Sequence, residues 1–529
     1  MCGNLIIEKR FVMKSENGKK IIIGILSVVL IIGITIIVLS KLNKKDTINT
    51  NGKTFDSEYK LTDNDLQLLD LYFLKAENKE SNMVYSPISV KYALAMLSDA
   101  AKGDSKSQID SVLGKYTPKK YINSNNVSFA NAMFIRDSFK ESVKESYADL
   151  IKKKYNGEVI YDSFDSPNNI NSWVSNKTFN LIDNLVDDVS NNNFMLINAL
   201  AIDMNWNYLI QPILTDNNSS DFQKKVYDKK HFNFVAWHVD YLHQDLNSMY
   251  IASIAGDEYP IMKFNDKDVQ SLKFGASINN YDIVSDLGKE NIRKEITKEY
   301  EKWVSDDYCE TGDYEETTSF VDNFIKELDS NYKDVGSSTD FKFYDDDTVK
   351  VFAKSLQEYD GLNLEYVGIM PKKDNLISYI ESLNVSDVKN IFNSLKEIKL
   401  DNFEKGYITQ IKGNIPLFKF DYELDLQKDL QNIGITDIFN TKADLSNLTD
   451  DKTMINPVFH KATIEFSNEG IKASAATSVG GFGAIDCSFE HLYKVPVKVI
   501  DLTFDKPFIF FIRDTKTGEI WFTGAVQNP

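Results

Sequence analysis

Ile21 to Leu39 is a run of nineteen residues, mostly Ile, Leu and Val, without a single charge. As a helix such a run is roughly 28 Å long, enough to cross a hydrocarbon core of about 30 Å. Lys19 and Lys20 precede it, and Lys41, Lys44 and Lys45 follow it. A cleaved signal peptide would have a shorter apolar run and a small-x-small cleavage site after it. Ser40-Lys41-Leu42-Asn43-Lys44 offers no such site. The expected organisation is therefore a cytoplasmic segment 1–20, a transmembrane anchor 21–40, a flexible polar linker 41–57 and a folded domain 58–529. Secretion after signal cleavage is the alternative. The positive-inside rule barely decides orientation: Lys9, Arg10, Lys14, Lys19 and Lys20 lie before the run, against Lys41, Lys44, Lys45 and Lys53 after it.

The folded part changes character along its length. Leu61–Ala76 and Val90–Ser98 carry apolar residues at helical spacing, and Thr62-Asp63-Asn64 supplies a cap for the first. Phe194–Asn205 reads as a buried strand, and Val349–Ala353 and Leu364–Met370 as short strands. Thr463–Phe466, Val495–Phe504, Phe508–Ile512 and Glu519–Val526 are strand-like, the last following a Thr517-Gly518 turn. Helices early and strands late give an α+β class. Residues 283–340 differ, being rich in Glu, Lys, Asp and Tyr. Ile292, Ile296, Tyr300 and Val304 recur at helical spacing, as do Val321, Phe324, Ile325 and Leu328, so two amphipathic helices are expected in a surface insertion.

Composition excludes several functions. The net charge of −18 repels phosphate backbones, so no nucleic acid is expected as a partner. Cys2, Cys309 and Cys487 have no CxxC or CxxH spacing, and His231, His238 and His243 lack a carboxylate to complete a ligand set. No metal or other cofactor is expected.

Four stretches, in order, point to one family. The first is Asn82-Met83-Val84-Tyr85-Ser86-Pro87-Ile88-Ser89, followed by Ala93-Leu94-Ala95-Met96-Leu97. The second is Leu196-Ile197-Asn198-Ala199, with Trp206 eight residues after the Asn. The third is His460-Lys461-Ala462, just upstream of Glu469-Gly470-Ile471-Lys472-Ala473-Ser474-Ala475-Ala476-Thr477. The fourth is Asp505-Lys506-Pro507-Phe508-Ile509-Phe510-Phe511-Ile512-Arg513, ending in Phe522-Thr523-Gly524 and Asn528-Pro529. Pro416-Leu417-Phe418 and Leu430-Gln431-Asn432-Ile433-Gly434-Ile435 also match in order. Together these stretches resemble the serpin family, and the resemblance covers residues 58–529 apart from the 283–340 segment. Asp203 stands where the family usually has Lys, Asn468 replaces the first hinge Glu, and Ile471-Lys472 replaces Thr-Glu.

That resemblance, of bacterial type, implies helices packed on three β-sheets with an exposed reactive-centre loop. It implies a one-use inhibitor of serine or cysteine proteases: a monomer outside the cytoplasm, with target proteases as partners and no catalytic residues of its own. A protease cuts the loop, and the cut loop then inserts into the central sheet as a new strand. Ser86 and Ser89 have no nucleophile-elbow context, so the chain is not read as an enzyme.

The expected loop hinge is Glu469, Gly470, Ile471, Ala473, Ala475, Ala476 and Thr477. Strand alternation puts Ile471, Ala473, Ala475 and Thr477 on one face, small or apolar enough to enter a packed sheet. Ser86, Ser89, Asn198 and His460 match the family's polar cluster under the central sheet. The family's usual loop length, counted from Gly470, puts the reactive bond at Ala484–Ile485. Phe482 and Lys494 are alternatives, Lys494 coming from a count back from Pro507. Ala484 suits elastase-like or subtilisin-like enzymes, and Lys494 trypsin-like ones. A non-inhibitory member serving as a binding or adhesion module is the alternative function.

Overall fold

The computed structural model describes residues 68–114, 116–207, 227–228, 231–235, 261–281, 283–306, 314–330, 334–337, 340–455, 459–467, 489 and 492–529. The segments 1–20, 21–40 and 41–57, and the first residues of the expected 58–529 domain, lie outside them. Among the described residues no helix is long and apolar enough to cross a membrane.

In chain order the α-helices are α1 (Leu68–Ala76), α2 (Pro87–Ala100), α3 (Gly103–Leu113), α4 (Glu145–Tyr155), α5 (Asn168–Lys177), α6 (Ile283–Leu287), α7 (Lys289–Ser305), α8 (Thr317–Ser330), α9 (Leu376–Ser382), α10 (Val385–Asn393) and α11 (Leu426–Asn432). The first strands are β1 (Met83–Tyr85), β2 (Val127–Arg136), β3 (Glu158–Asp162), β4 (Phe194–Ile202), β5 (Tyr227–Asp228), β6 (His231–Val235), β7 (Ile261–Phe264), β8 (Lys267–Asn279) and β9 (Asp334–Ser337). The rest are β10 (Lys342–Asp345), β11 (Val349–Ser355), β12 (Leu364–Pro371), β13 (Lys396–Glu397), β14 (Ile408–Pro416), β15 (Phe418–Asp425), β16 (Phe459–Phe466), β17 (Leu492–Asp501), β18 (Phe508–Asp514) and β19 (Ile520–Val526).

One sheet runs β1-β19-β18-β12-β11-β10-β13, and a second runs β5-β6-β17-β14-β8-β7 with β9 also on β8. The expected central sheet is present as two separate pieces, β3-β2-β4 and β15-β16. Among the described residues there are thus four β-ladder groups where three sheets were expected.

The sequence explains how these layers pack. Helix α2 begins at Pro87 behind its cap Ser86, whose hydroxyl accepts the Ser89 N–H. It is apolar nearly all round and twelve of its residues are buried, as befits a helix inside the core. Strand β2 is likewise covered on both faces. Phe129, Met133 and Ile135 join the main core with α2. The alternate residues Ala132 and Phe134 pack with Ile197 of β4 under Ile170 and Val174 of α5. Gly524 pairs with Val84 and with Phe510, and a Cβ there would collide with the Phe510 ring and the Met83 carbonyl. That close approach accounts for the Gly of the Phe522-Thr523-Gly524 motif.

Strand β17 ends at Asp501, where the alternating pattern suggested Phe504. Leu502 and Phe504 are bonded through their N–H groups to the Lys412 and Asn414 carbonyls beyond the ladder. The insertion holds three helices, α6, α7 and α8, where two were expected. Gly288, at φ +86°, breaks the first from the second.

Candidate functional site

Strand β4 pairs with β2 on one edge, and β16 pairs with β15 on one edge. Among the described residues no ladder joins β4 to β16. Two cavities lie end to end between them. The larger, about 100 Å³, is lined by Phe194–Leu200 of β4 and His460–Ala462 of β16. The smaller, about 30 Å³, is lined by Leu200–Asp203 and Thr463–Glu465. Rising numbers on one wall meet rising numbers on the other, so the two strands run in the same direction. The result is a slot between two parallel strand edges.

Each end of the slot is tied. At the His460 end, the Ser86 N–H donates to His460 Nε2 at 2.8 Å, and Ser86 Oγ accepts from the Ser89 N–H at 3.3 Å. Asn198 lines the same cavity from the opposite wall. Its Nδ2 donates to Asn131 Oδ1 at 2.8 Å, and Asn131 in turn donates to the Tyr155 carbonyl at 2.9 Å. Asn198 Oδ1 is buried and has no hydrogen-bond partner among the described residues. The four residues expected in one polar cluster do border one cavity. They divide, however, into a Ser86–Ser89–His460 set and an Asn198–Asn131 pair.

At the other end, Trp206 Nε1 donates to the Ser467 carbonyl at 3.0 Å. Its ring, 2% exposed, stands edge-on to Phe466 at 5.6 Å and Tyr366 at 6.1 Å. Trp206 was legible as part of a motif but not as the residue that fastens the end of β16.

A third element crosses the slot. Residues 178–193 link α5 to β4, and Ile182 lines both cavities. The Leu181 carbonyl accepts from Thr463 Oγ1 at 3.4 Å and the Asn184 carbonyl from Lys461 Nζ at 3.1 Å. Both donors sit on β16, so this strap spans the slot from the β4 side. Nothing in its Asn- and Asp-rich sequence announces that position.

His460 is surrounded closely enough that burial pushes its imidazole down to about 4. The neutral ring is also the form whose Nε2 can accept the Ser86 N–H. An unfolded histidine titrates near 6.5, so between that pH and about 4 the unfolded chain binds the extra proton. Stability therefore holds above pH 6.5 and falls as pH drops toward 4. The unfolding midpoint at pH 5 should lie below that at pH 7 by the equivalent of about 2 kcal/mol. Chemical denaturation of the His460→Gln variant should show most of that difference gone. An undiminished pH dependence in the variant would assign it to other groups.

Glu469, Gly470, Ile471, Ala473, Ala475, Ala476 and Thr477, with Phe482, Ala484 and Ile485, lie outside the described residues, as do Cys2, Cys309, Cys487, His238 and His243. Lys494 lies within β17, opposite Asn233 of β6. His231 is in β6 opposite Pro496.

A family model described as "Serpin (serine protease inhibitor)" matches residues 68–250 and 316–529. "Serpin B3" of Homo sapiens is 24% identical over 499 residues, covering 87% of this chain and 97% of its own. "Iripin-2" of Ixodes ricinus is 31% identical over 189 residues, 36% of this chain and 42% of its own. "Leukocyte elastase inhibitor" of Bos taurus is 31% identical over 172 residues, 32% of this chain and 42% of its own. Among solved structures, the native state of the thermophilic serpin Tengpin superposes with a TM-score of 0.55 at 19% identity, covering 90% of this chain and 96% of its own. The thyroxine-binding globulin complex with thyroxine gives 0.52 at 17% identity, covering 87% and 96%. At such identities these structures speak to the fold alone.

Proposed function

The chain belongs to the serpin family, and from that premise we propose that it is a membrane-tethered inhibitor that traps serine proteases outside the cytoplasm. The observation that carries this reading is the slot between β4 and β16. Two parallel strand edges border the same cavities, and among the described residues no ladder joins them. A segment running back from Ser467 would lie antiparallel to both and could pair with each.

In this mechanism the protease's serine hydroxyl attacks the carbonyl of Ala484. Its oxygen becomes bonded to that carbon, and the Ala484–Ile485 peptide bond breaks. The new amino group of Ile485 takes the proton. The freed arm, still carrying the acylated protease on Ala484, then enters the slot. Lys494 is a poor alternative for the cut, because its backbone is already paired in β17. Ala484 favours elastase-like or subtilisin-like enzymes with small pockets. The tether is assigned to residues 21–40, and protease accessibility of the folded domain in intact cells checks its side.

Denaturing gels of the detergent-solubilised full chain, mixed with elastase-, subtilisin- and trypsin-like proteases, test the trap. A covalent band of the summed mass is expected with at least one small-pocket protease, and mass spectrometry should place the new C-terminus at Ala484. Cleaved chain with no covalent band across the whole panel rejects inhibition. A second reading, a non-inhibitory binding module, draws on Ile471 and Lys472 at hinge positions the family usually fills with Thr and Glu.

A further inference from the structure

The family match stops at residue 250 and resumes at 316, so α6 and α7 fall outside the matched residues. With α8 they form an apolar centre of their own, in which Ile292, Ile296 and Tyr300 meet Val321, Phe324 and Ile325. One residue from far along the chain completes it. Phe489 is 6% exposed. Its ring lies 5.5 Å from Tyr300, 6.0 Å from Trp303, 5.4 Å from Phe320 and 6.0 Å from Phe324. All four stand close to perpendicular to it, the favoured edge-to-face arrangement. Tyr300 and Phe320 stack on each other at 3.7 Å. The socket rests on the second sheet through Ile408 of β14 and Val497 of β17.

Phe489 stands three residues before β17 begins at Leu492. We propose that the helical insertion pins the far stem of the reactive segment through Phe489, and so keeps the uncut segment out of the slot. The proposal rests on the slot being the receiving site for that segment. An unpaired strand edge invites the nearest available strand. Here the nearest chain is the one leaving Ser467, and it is tethered at both ends. Uncut, it can fill the slot only by drawing chain in from its far stem, because it must enter and return. That movement pulls on Phe489 and then on β17, which is paired with β6 and β14. Withdrawing Phe489 would uncover four aromatic rings together. After a cut the inserting arm no longer passes through Phe489, so the socket opposes only the unproductive route.

The test uses the full chain in detergent as wild type, Phe489→Ala and Phe489→Leu, incubated about 10 °C below its melting point. Uncut insertion is read as chain of unchanged mass that melts well above fresh protein, a readout that needs no target protease. Phe489→Ala should accumulate this form at least tenfold faster than wild type, with Phe489→Leu between them. Should Phe489→Ala not fold, hydrogen exchange of wild type replaces it: the amides at 489–492 must open in step with appearance of the form, and lasting protection there overturns the proposal. Equal rates in wild type and Phe489→Ala also overturn it, while leaving the slot reading intact provided cleaved wild type is stabilised. No gain in stability even after cleavage overturns both.

Discussion

Cutting the chain once between the hinge and β17 should raise its melting temperature by about 10 °C or more. A cut ordinarily loosens a protein. Here it releases an arm of small residues beside a slot whose two strand edges have no ladder partner among the described residues. A strand entering there bonds on both sides along β4 and β16, each bond contributing about 0.5–1.5 kcal/mol net, and it fills the cavity lined by Leu200, Ile197 and Ala462. A net gain of several kcal/mol, at about 2 °C or more per kcal/mol, produces a shift of that size. Limited digestion with a protease that cuts within 478–488, followed by calorimetry, measures it. A melting point that stays level or falls after the cut would show that nothing inserts, and would favour the binding-module reading.

The second large effect is expected at the hinge. Ala475→Arg should convert the inhibitor into a substrate. Strand alternation places position 475 with Ile471 and Ala473 on the face that enters the sheet. A guanidinium on that face overfills the site and buries an unpaired charge. The rate of loop cleavage should be unchanged, because the cut precedes insertion. Covalent complex should fall at least tenfold, with free protease recovered and cut chain accumulating. Lys472→Ala, on the opposite face, serves as the control and should leave the yield of complex unaffected. Full trapping by Ala475→Arg would mean that the hinge does not enter the sheet in this register.

Much of this was legible because each element is dictated locally. Ser86-Pro87 starts α2, and the run Phe508–Ile512 falls in a strand buried between layers. The site was legible only as a set of residue names. That Ser86 reaches His460 while Asn198 turns to Asn131 depends on partners 374 and 67 positions away, which no spacing rule encodes. The break in the central sheet was invisible for a related reason: β4 and β16 each look like ordinary buried strands, and only their mutual distance makes the slot. In the insertion two helices were expected, and three are present among the described residues. Its apolar stripes at Ile292, Ile296 and Tyr300 were correctly seen. The aromatic partner they await, Phe489, lies in a short polar stretch where periodicity gives no signal.

The strap of residues 178–193 turns the slot into a clock. Its bonds from Lys461 to the Asn184 carbonyl and from Thr463 to the Leu181 carbonyl must part before a strand can pass along β16. During that interval the acylated protease can still admit water and free itself. In the proposed trap, inhibition would be a race between two first-order steps, strap release and deacylation, and their ratio would set how many molecules are spent per protease captured. A protease that deacylates slowly is caught by this chain even if the strap yields late, and a fast one escapes. Selectivity can therefore reside in timing as well as in which residue precedes the cut.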